Sequence, residues 1–388
     1  MKIISSLIVL VTTLGCNERK EMAVIDLPKY KINIEINKNV ETIGIILILS
    51  NHGKRIIEVN DENKNYCARS FREKFIEFEE HPTVKLVNSL AEEGLFGLYE
   101  PYFGLNYTLL PNFQKKNEIE VDSVENHTKE ELDSIYNHLA QSIQKFYIDA
   151  KLESFFDNNR ELYQKVVKEV QSTMISPYII DSMAYFYNIN DVENVKFNIT
   201  PSLVMLEGWG FGHTVQIKET ISFYQLLSHY GGSQEDLFNP LLKKTSLGFD
   251  NVSVNLEFTI HEFGHSFVDF LRDKPSNIDL INQVKFLNFE NLQKKVENYG
   301  YGDTWAQCFE EHLVRASEII MFEKLGKKDL IKEKIETEIE VYGFVYLPVF
   351  VKELKQYNEN RKQYPSLEDY LPTLIDRLSK IDTTQYLF

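Results

Sequence analysis

The sequence predicts an α+β fold, mostly helical with one small β-sheet bordering a cleft. Three observations point there. Apolar residues recur at helical spacing through residues 40–50, 66–93, 129–174 and 251–381. Between the last two runs, residues 195–227 are strand-rich, with Val195-Lys196-Phe197-Asn198-Ile199-Thr200 alternating, and Ile32, Ile34 and Ile36 mark an earlier strand. The composition, 43% hydrophobic and 13% aromatic over 388 residues, can fill a sizeable core.

Taken in order, residues 1–16 read as a lipoprotein signal: Lys2, then about a dozen apolar residues, too few to span a bilayer, ending at Gly15-Cys16. Thr13 stands where leucine is usual in a bacterial lipobox. Cys16 is then the lipidated amino terminus, anchoring the protein in the bacterial cell envelope, facing the periplasm or the exterior. Residues 17–29 form a polar tether, and 30–388 the globular region. Within it, 30–190 is mainly helical, 191–325 combines the sheet with two helices rich in histidine and glutamate, and 326–388 forms closing helices broken near residues 342–348 and Pro365. In the sheet, 195–200, 201–207 and 214–221 are expected as strands around a turn at Gly208-Trp209-Gly210-Phe211-Gly212, one of them bordering the cleft. His213 follows that turn and reads as a surface histidine. Cys67 and Cys308 can pair or stand as isolated buried thiols.

The chemistry is carried by His261-Glu262-Phe263-Gly264-His265. On a helix with 3.6 residues per turn, His261 and His265 stack on one face and can reach one tetrahedral ion. Glu262 beside them can take a proton from a water activated by that ion. Leu256, Ile260, Phe263 and Phe267 give the segment a buried face. Gly264 costs helix propensity, so close packing beneath the metal is its expected reason.

A catalytic zinc needs a third protein ligand. Residues 304–318 form a second apolar-periodic helix carrying Glu310, Glu311, His312 and Glu318. Glu311 is the chosen ligand, with Glu310 the alternative, because Arg315 lies one turn after Glu311 and can engage Glu318 or a substrate oxyanion. Asp269 is a candidate partner for a histidine ring N–H. Tyr301, with Tyr299 beside it, is the candidate oxyanion donor. Trp305 reads as core.

The run from His261 to Val268, followed by Glu311-His312-Leu313-Val314-Arg315-Ala316, resembles the bacterial domain-of-unknown-function family 4932, which is regarded as thermolysin-like (gluzincin). Weaker likenesses lie at Glu80-His81-Pro82-Thr83-Val84, at residues 343–348 and at Asn360-Arg361. Where the family pattern has asparagine and proline, this chain has Asp269-Phe270, so the exit of the metal helix departs from it. The resemblance implies a zincin-like fold and a metal-dependent hydrolase, and names no substrate.

Together these readings give a zinc-dependent hydrolase acting on peptide bonds, with one zinc per chain on His261, His265 and Glu311, and Glu262 as general base. Tyr301 and Arg315 are the further catalytic candidates. The alternative is a non-catalytic surface lipoprotein that binds a ligand through a metal site. A third reading is hydrolysis of a non-peptide amide such as cell-wall material. The net charge of −16 disfavours a nucleic-acid partner, and the glycines at 208–212 lack phosphate-loop spacing.

Overall fold

The chain enters its fold through β1 (Ile32–Ile34) and turns at Asn37 into α1 (Lys38–Leu49). The Asn37 side chain accepts hydrogen bonds from the Asn39 and Val40 amides at 2.9 and 3.3 Å, satisfying two of the free donors of the first turn. From Asn39 to Leu49 every residue of α1 is buried, as a helix without a polar stripe must be. In the computed structural model, the described residues are 29–59, 65–97, 100–116, 127–173, 178–232, 237–238, 246–268, 271, 274–288, 294, 296 and 304–383. Cys16 and the signal, the tether up to residue 28, Asp269, Tyr299 and Tyr301 lie outside them.

Seven helices follow α1: α2 (Asn51–Val59), α3 (Tyr66–Phe75), α4 (Pro82–Glu92), α5 (Lys129–Asp149), α6 (Leu152–Asn158), α7 (Arg160–Thr173) and α8 (Tyr178–Tyr187). The continuous periodicity over 129–174 is thus divided in three. Lys151, at a left-handed φ of 51°, makes the first break. Thr128 opens α5 with a reciprocal capping box to Glu131.

The sheet is mixed and four-stranded: β1, β2 (Val195–Pro201), β4 (Thr220–Leu227) and β3 (Gly210–Ile217), in that spatial order. β1 and β4 run parallel to β2, whereas β3 is antiparallel to β4. The register pairs both Pro201 and Gly210 with Leu227, so the intervening segment crosses over the carboxyl end of β4. This corrects the expected strand layout. Residues 202–209 are no strand; Gly210 and Gly212 lie inside β3, and the chain reverses after Ile217, with Lys218 at a positive φ of 53°. Leu203, Val204, Met205 and Leu206 of the crossover are buried against α1. A Cβ on Gly44 of α1 would fall 2.1 Å from Val204 Cγ2.

The remaining helices are α9 (Val252–Phe267), α10 (Pro275–Asn282), α11 (Trp305–Lys324), α12 (Lys328–Thr337), α13 (Leu347–Glu359) and α14 (Leu367–Leu378). α12 continues into a π-turn, Glu338–Tyr342, closed by Gly343 at φ 89°. The protein is therefore α+β, mostly helical, with a small mixed sheet; a large apolar core runs from Tyr30 to Leu378, and a smaller cluster of Val40, Leu105, Met205, Val215 and Leu226 lies apart from it. Trp305 belongs to that core, donating its indole N–H to the Ile281 carbonyl at 3.0 Å. Cys67 and Cys308 are separate buried thiols. Among the described residues, no helix is long and apolar enough to cross a membrane.

Candidate metal centre

α9 starts at Asn251, whose side chain accepts the Val254 amide at 3.2 Å. Phe263 meets Phe197 of β2 with ring centroids 5.5 Å apart, and Phe267 meets Phe223 of β4 at 4.8 Å. That face rests on the sheet. His261 and His265 stand two residues before those phenylalanines, about 200° round the helix, and are turned towards α11. The two helices approach closely at Gly264, where a Cβ would lie 3.0 Å from Val314 Cγ1. The close packing expected of that glycine is present, against Val314 of α11.

Three candidate ligands converge. His261 Nε2 and His265 Nε2 are 3.1 Å apart, Glu311 Oε1 is 3.3 Å from His265 Nε2, and Glu311 Oε2 is 3.8 Å from His261 Nε2. One donor atom from each lies within 4.8 Å of the others. Ligands about 2.0–2.2 Å from a tetrahedral zinc stand about 3.3 Å from one another, so the spacing suits that ion.

The outer ring nitrogens are also engaged. His261 Nδ1 contacts Glu318 Oε1, and His265 Nδ1 lies 2.8 Å from Glu310 Oε1. A carboxylate on each Nδ1 keeps that nitrogen protonated and leaves Nε2 as the donor facing the centre. Glu310, the alternative ligand of the sequence reading, therefore stands behind His265. Glu318, expected against Arg315, pairs with His261 and with Lys334, whose Nζ is 2.8 Å away. Asp269, proposed for this histidine-orienting role, lies outside the described residues.

The donor set fits a zinc ion. His261 Nε2 and His265 Nε2 face each other at 3.1 Å with Glu311 against both, so a positive charge, proton or metal, is needed between the two nitrogens. Burial disfavours charge on His265, yet Glu311 and Glu310 outweigh it and hold its basicity well above the ordinary range. Burial would likewise neutralise Glu311, but His265 and Arg315 keep it ionised far below the usual carboxylate range. The pocket already attracts a positive charge.

Glu262 is buried, and burial raises its pKa against the pull of the two histidines. Its carboxylate accepts a hydrogen bond from the Gly212 amide of β3. A Cβ on Gly212 would lie 2.0 Å from the Glu262 carbonyl oxygen, and one on Gly210 would lie 2.9 Å from Glu262 Oε1. The two glycines let strand and helix touch at the candidate base.

Arg315 is buried rather than open to a substrate. Its Nε donates to Glu311 Oε2 at 3.2 Å, and one terminal nitrogen holds both oxygens of Glu338 at 2.7 and 2.8 Å. His312 turns away, with Nδ1 2.7 Å from the Cys308 carbonyl and its ring among Phe344, Tyr346 and Phe350. His213 is a partly buried member of β3, stacked on Tyr102 at 4.6 Å. Tyr301 cannot be related to the centre, since it lies outside the described residues.

Helix, carboxylate helix and strand thus define an α+β protein built round a two-histidine, one-glutamate cluster. A family model described as Domain of unknown function (DUF4932) matches residues 32–377, and the chain belongs to that family. No curated protein and no solved structure matches it.

Proposed function

We propose that the protein is a zinc-dependent hydrolase of peptide bonds, of the gluzincin type, with a zincin-like catalytic region. One observation carries the reading: His261, His265 and Glu311 converge, and Glu262 beside them is buried and held by the Gly212 amide. A purely structural site needs ligands but no base. His261 Nε2, His265 Nε2 and Glu311 would hold one zinc per chain. When bound, zinc supplies Lewis acidity, polarising a carbonyl and lowering the pKa of water.

The chain's own residues do the rest. Glu262, its basicity raised by burial, takes the proton of the attacking water and returns it to the leaving amine. Glu310 and Glu318 fix both rings in the tautomer that presents Nε2. β3, the terminal antiparallel strand of the sheet, runs past Glu262 and is the surface proposed for an extended peptide substrate. Arg315 is proposed to act on Glu311, holding the carboxylate in place. Tyr301 remains the proposed oxyanion donor. The lipid anchor at Cys16 and the cell-envelope location belong to the same proposal.

The test is Glu262→Ala. Purified wild-type protein is expected to contain about one zinc per chain, and the variant to keep that metal while turnover of a peptide library falls by about 10²–10⁴-fold. Full activity in the variant overturns the assignment of the base. Silence of the zinc-loaded wild type across peptides and cell-wall amides would favour the ligand-binding alternative.

A further inference from the structure

Two of the three candidate ligands are braced through separate carboxylates, and both braces lead to one short segment outside the metal helices. Behind His261 stands Glu318, and Lys334 Nζ lies 2.8 Å from Glu318 Oε2. Behind Glu311 stands Arg315, which is held by both oxygens of Glu338. Lys334 and Glu338 are one turn apart, where α12 passes into the π-turn, and Lys334 Nζ is 3.3 Å from Glu338 Oε1. Lys334 also contacts Glu257, on α9 one turn before His261.

We infer that Lys334 is a positioning residue for the metal centre, fixing His261 through Glu318 and Glu311 through Glu338 and Arg315. The inference rests on the zinc-site reading above. Glu257, Glu318 and Glu338 bring carboxylate oxygens within 4.8 Å of one another, and Lys334 is the ammonium among them. Its side chain is only 10% exposed, and those of Glu318 and Glu338 are 1% and 3% exposed. Between the buried Glu318 and Glu338 the repulsion is weakly screened, with the half-exposed Glu257 adding to it from the solvent side, so removing the ammonium drives the buried pair apart. Glu318 then turns from His261, and Glu338 from Arg315. Two arms of the donor set loosen together, although Lys334 touches neither ligand.

The experiment measures zinc affinity by chelator competition, and the visible spectrum of the cobalt(II)-substituted protein, for the full chain and four variants. Lys334→Met is expected to weaken zinc about tenfold and to shift the cobalt bands, in the range known for partners that orient metal ligands. Lys334→Arg, which keeps the charge, recovers most of that loss. Lys355→Met, which removes the contact with Glu323 near the far end of α11, leaves affinity and spectrum unchanged. Glu257→Gln alters a carboxylate that is 47% exposed, so it folds even if Lys334→Met does not; it removes one anchor of the ammonium, so Lys334 shifts against Glu318 and the cobalt bands move, while the eased carboxylate repulsion leaves zinc affinity close to that of the wild type. Wild-type zinc affinity and cobalt bands in every Lys334 and Glu257 variant that folds overturn the inference alone. A wild-type protein that holds no zinc overturns the site reading and this inference with it.

Discussion

At the scale of single residues, the clearest conflict with local preference is Glu41, a carboxylic acid inside the fully buried helix α1. Burial lifts its pKa to about 7, although its Oε1 accepts the Leu203 amide at 3.1 Å. An acid whose folded pKa is raised contributes stability below its unfolded pKa and loses it as pH rises through the folded value. The window runs from about 4.5 to about 7. Glu41→Gln should therefore gain on the wild type by about 3 kcal/mol between pH 4.5 and pH 8, read from urea denaturation at both pH values. A constant difference between the two proteins would remove Glu41 as the source. The site residues were legible because helical spacing fixes them: His261, Glu262 and His265 follow from one turn, and Glu311, Arg315 and Glu318 from positions i, i+4 and i+7 of one face. That last spacing also carries the signal for Glu318, which can stand behind a histidine as readily as beside Arg315, and in the fold it contacts His261. Lys334 and Glu338 were not legible, since a run of alternating charges reads as solvated helix until the fold buries it.

At the scale of elements, the helices were largely readable and the sheet was not. Breaks at Pro275, Gly343 and Pro365 follow from backbone chemistry that acts locally. In the sequence the glycines of 208–212 read as a turn, because glycine commonly serves turns. In β3 it serves close approach, which depends on α9 some fifty residues later and leaves no local trace. Gly212→Ala places a methyl 2.0 Å from a backbone oxygen that cannot swing away, so strand and helix must part. We expect a loss of about 1–3 kcal/mol in denaturant unfolding, together with weakened zinc binding. Gly210→Ala meets the movable end of Glu262 at 2.9 Å and is expected to fold, hold zinc and turn over more slowly. Equal stability of Gly212→Ala and wild type would show that the contact is not tight.

At the scale of the whole molecule, the proposed ion joins α9 to α11 and should be felt as global stability. With free zinc at about a hundred times its dissociation constant, binding contributes about 2.7 kcal/mol. Chelation is expected to lower the unfolding midpoint of the wild type and of Glu262→Ala alike, and to leave His265→Ala unmoved. A midpoint indifferent to chelator in all three would disconnect the cluster from any metal. The fold class was readable from composition and periodicity. The strand order was not, because pairing across the sheet is settled by contacts far apart in sequence.

β1 has a consequence for how the molecule comes to be folded. Asn33 of β1 faces Asn198 of β2, 165 residues along the chain, and all eight helices from α1 to α8 lie between the paired strands. The entropy of closing so long a loop is spent before any ladder hydrogen bond is gained. The helical segments can gather locally, but the sheet under α9 is completed only when that distant pairing forms. Completion of the sheet is thereby tied to a pairing that spans more than a third of the chain, whereas the β4 and β3 strands against which α9 packs are neighbours in sequence.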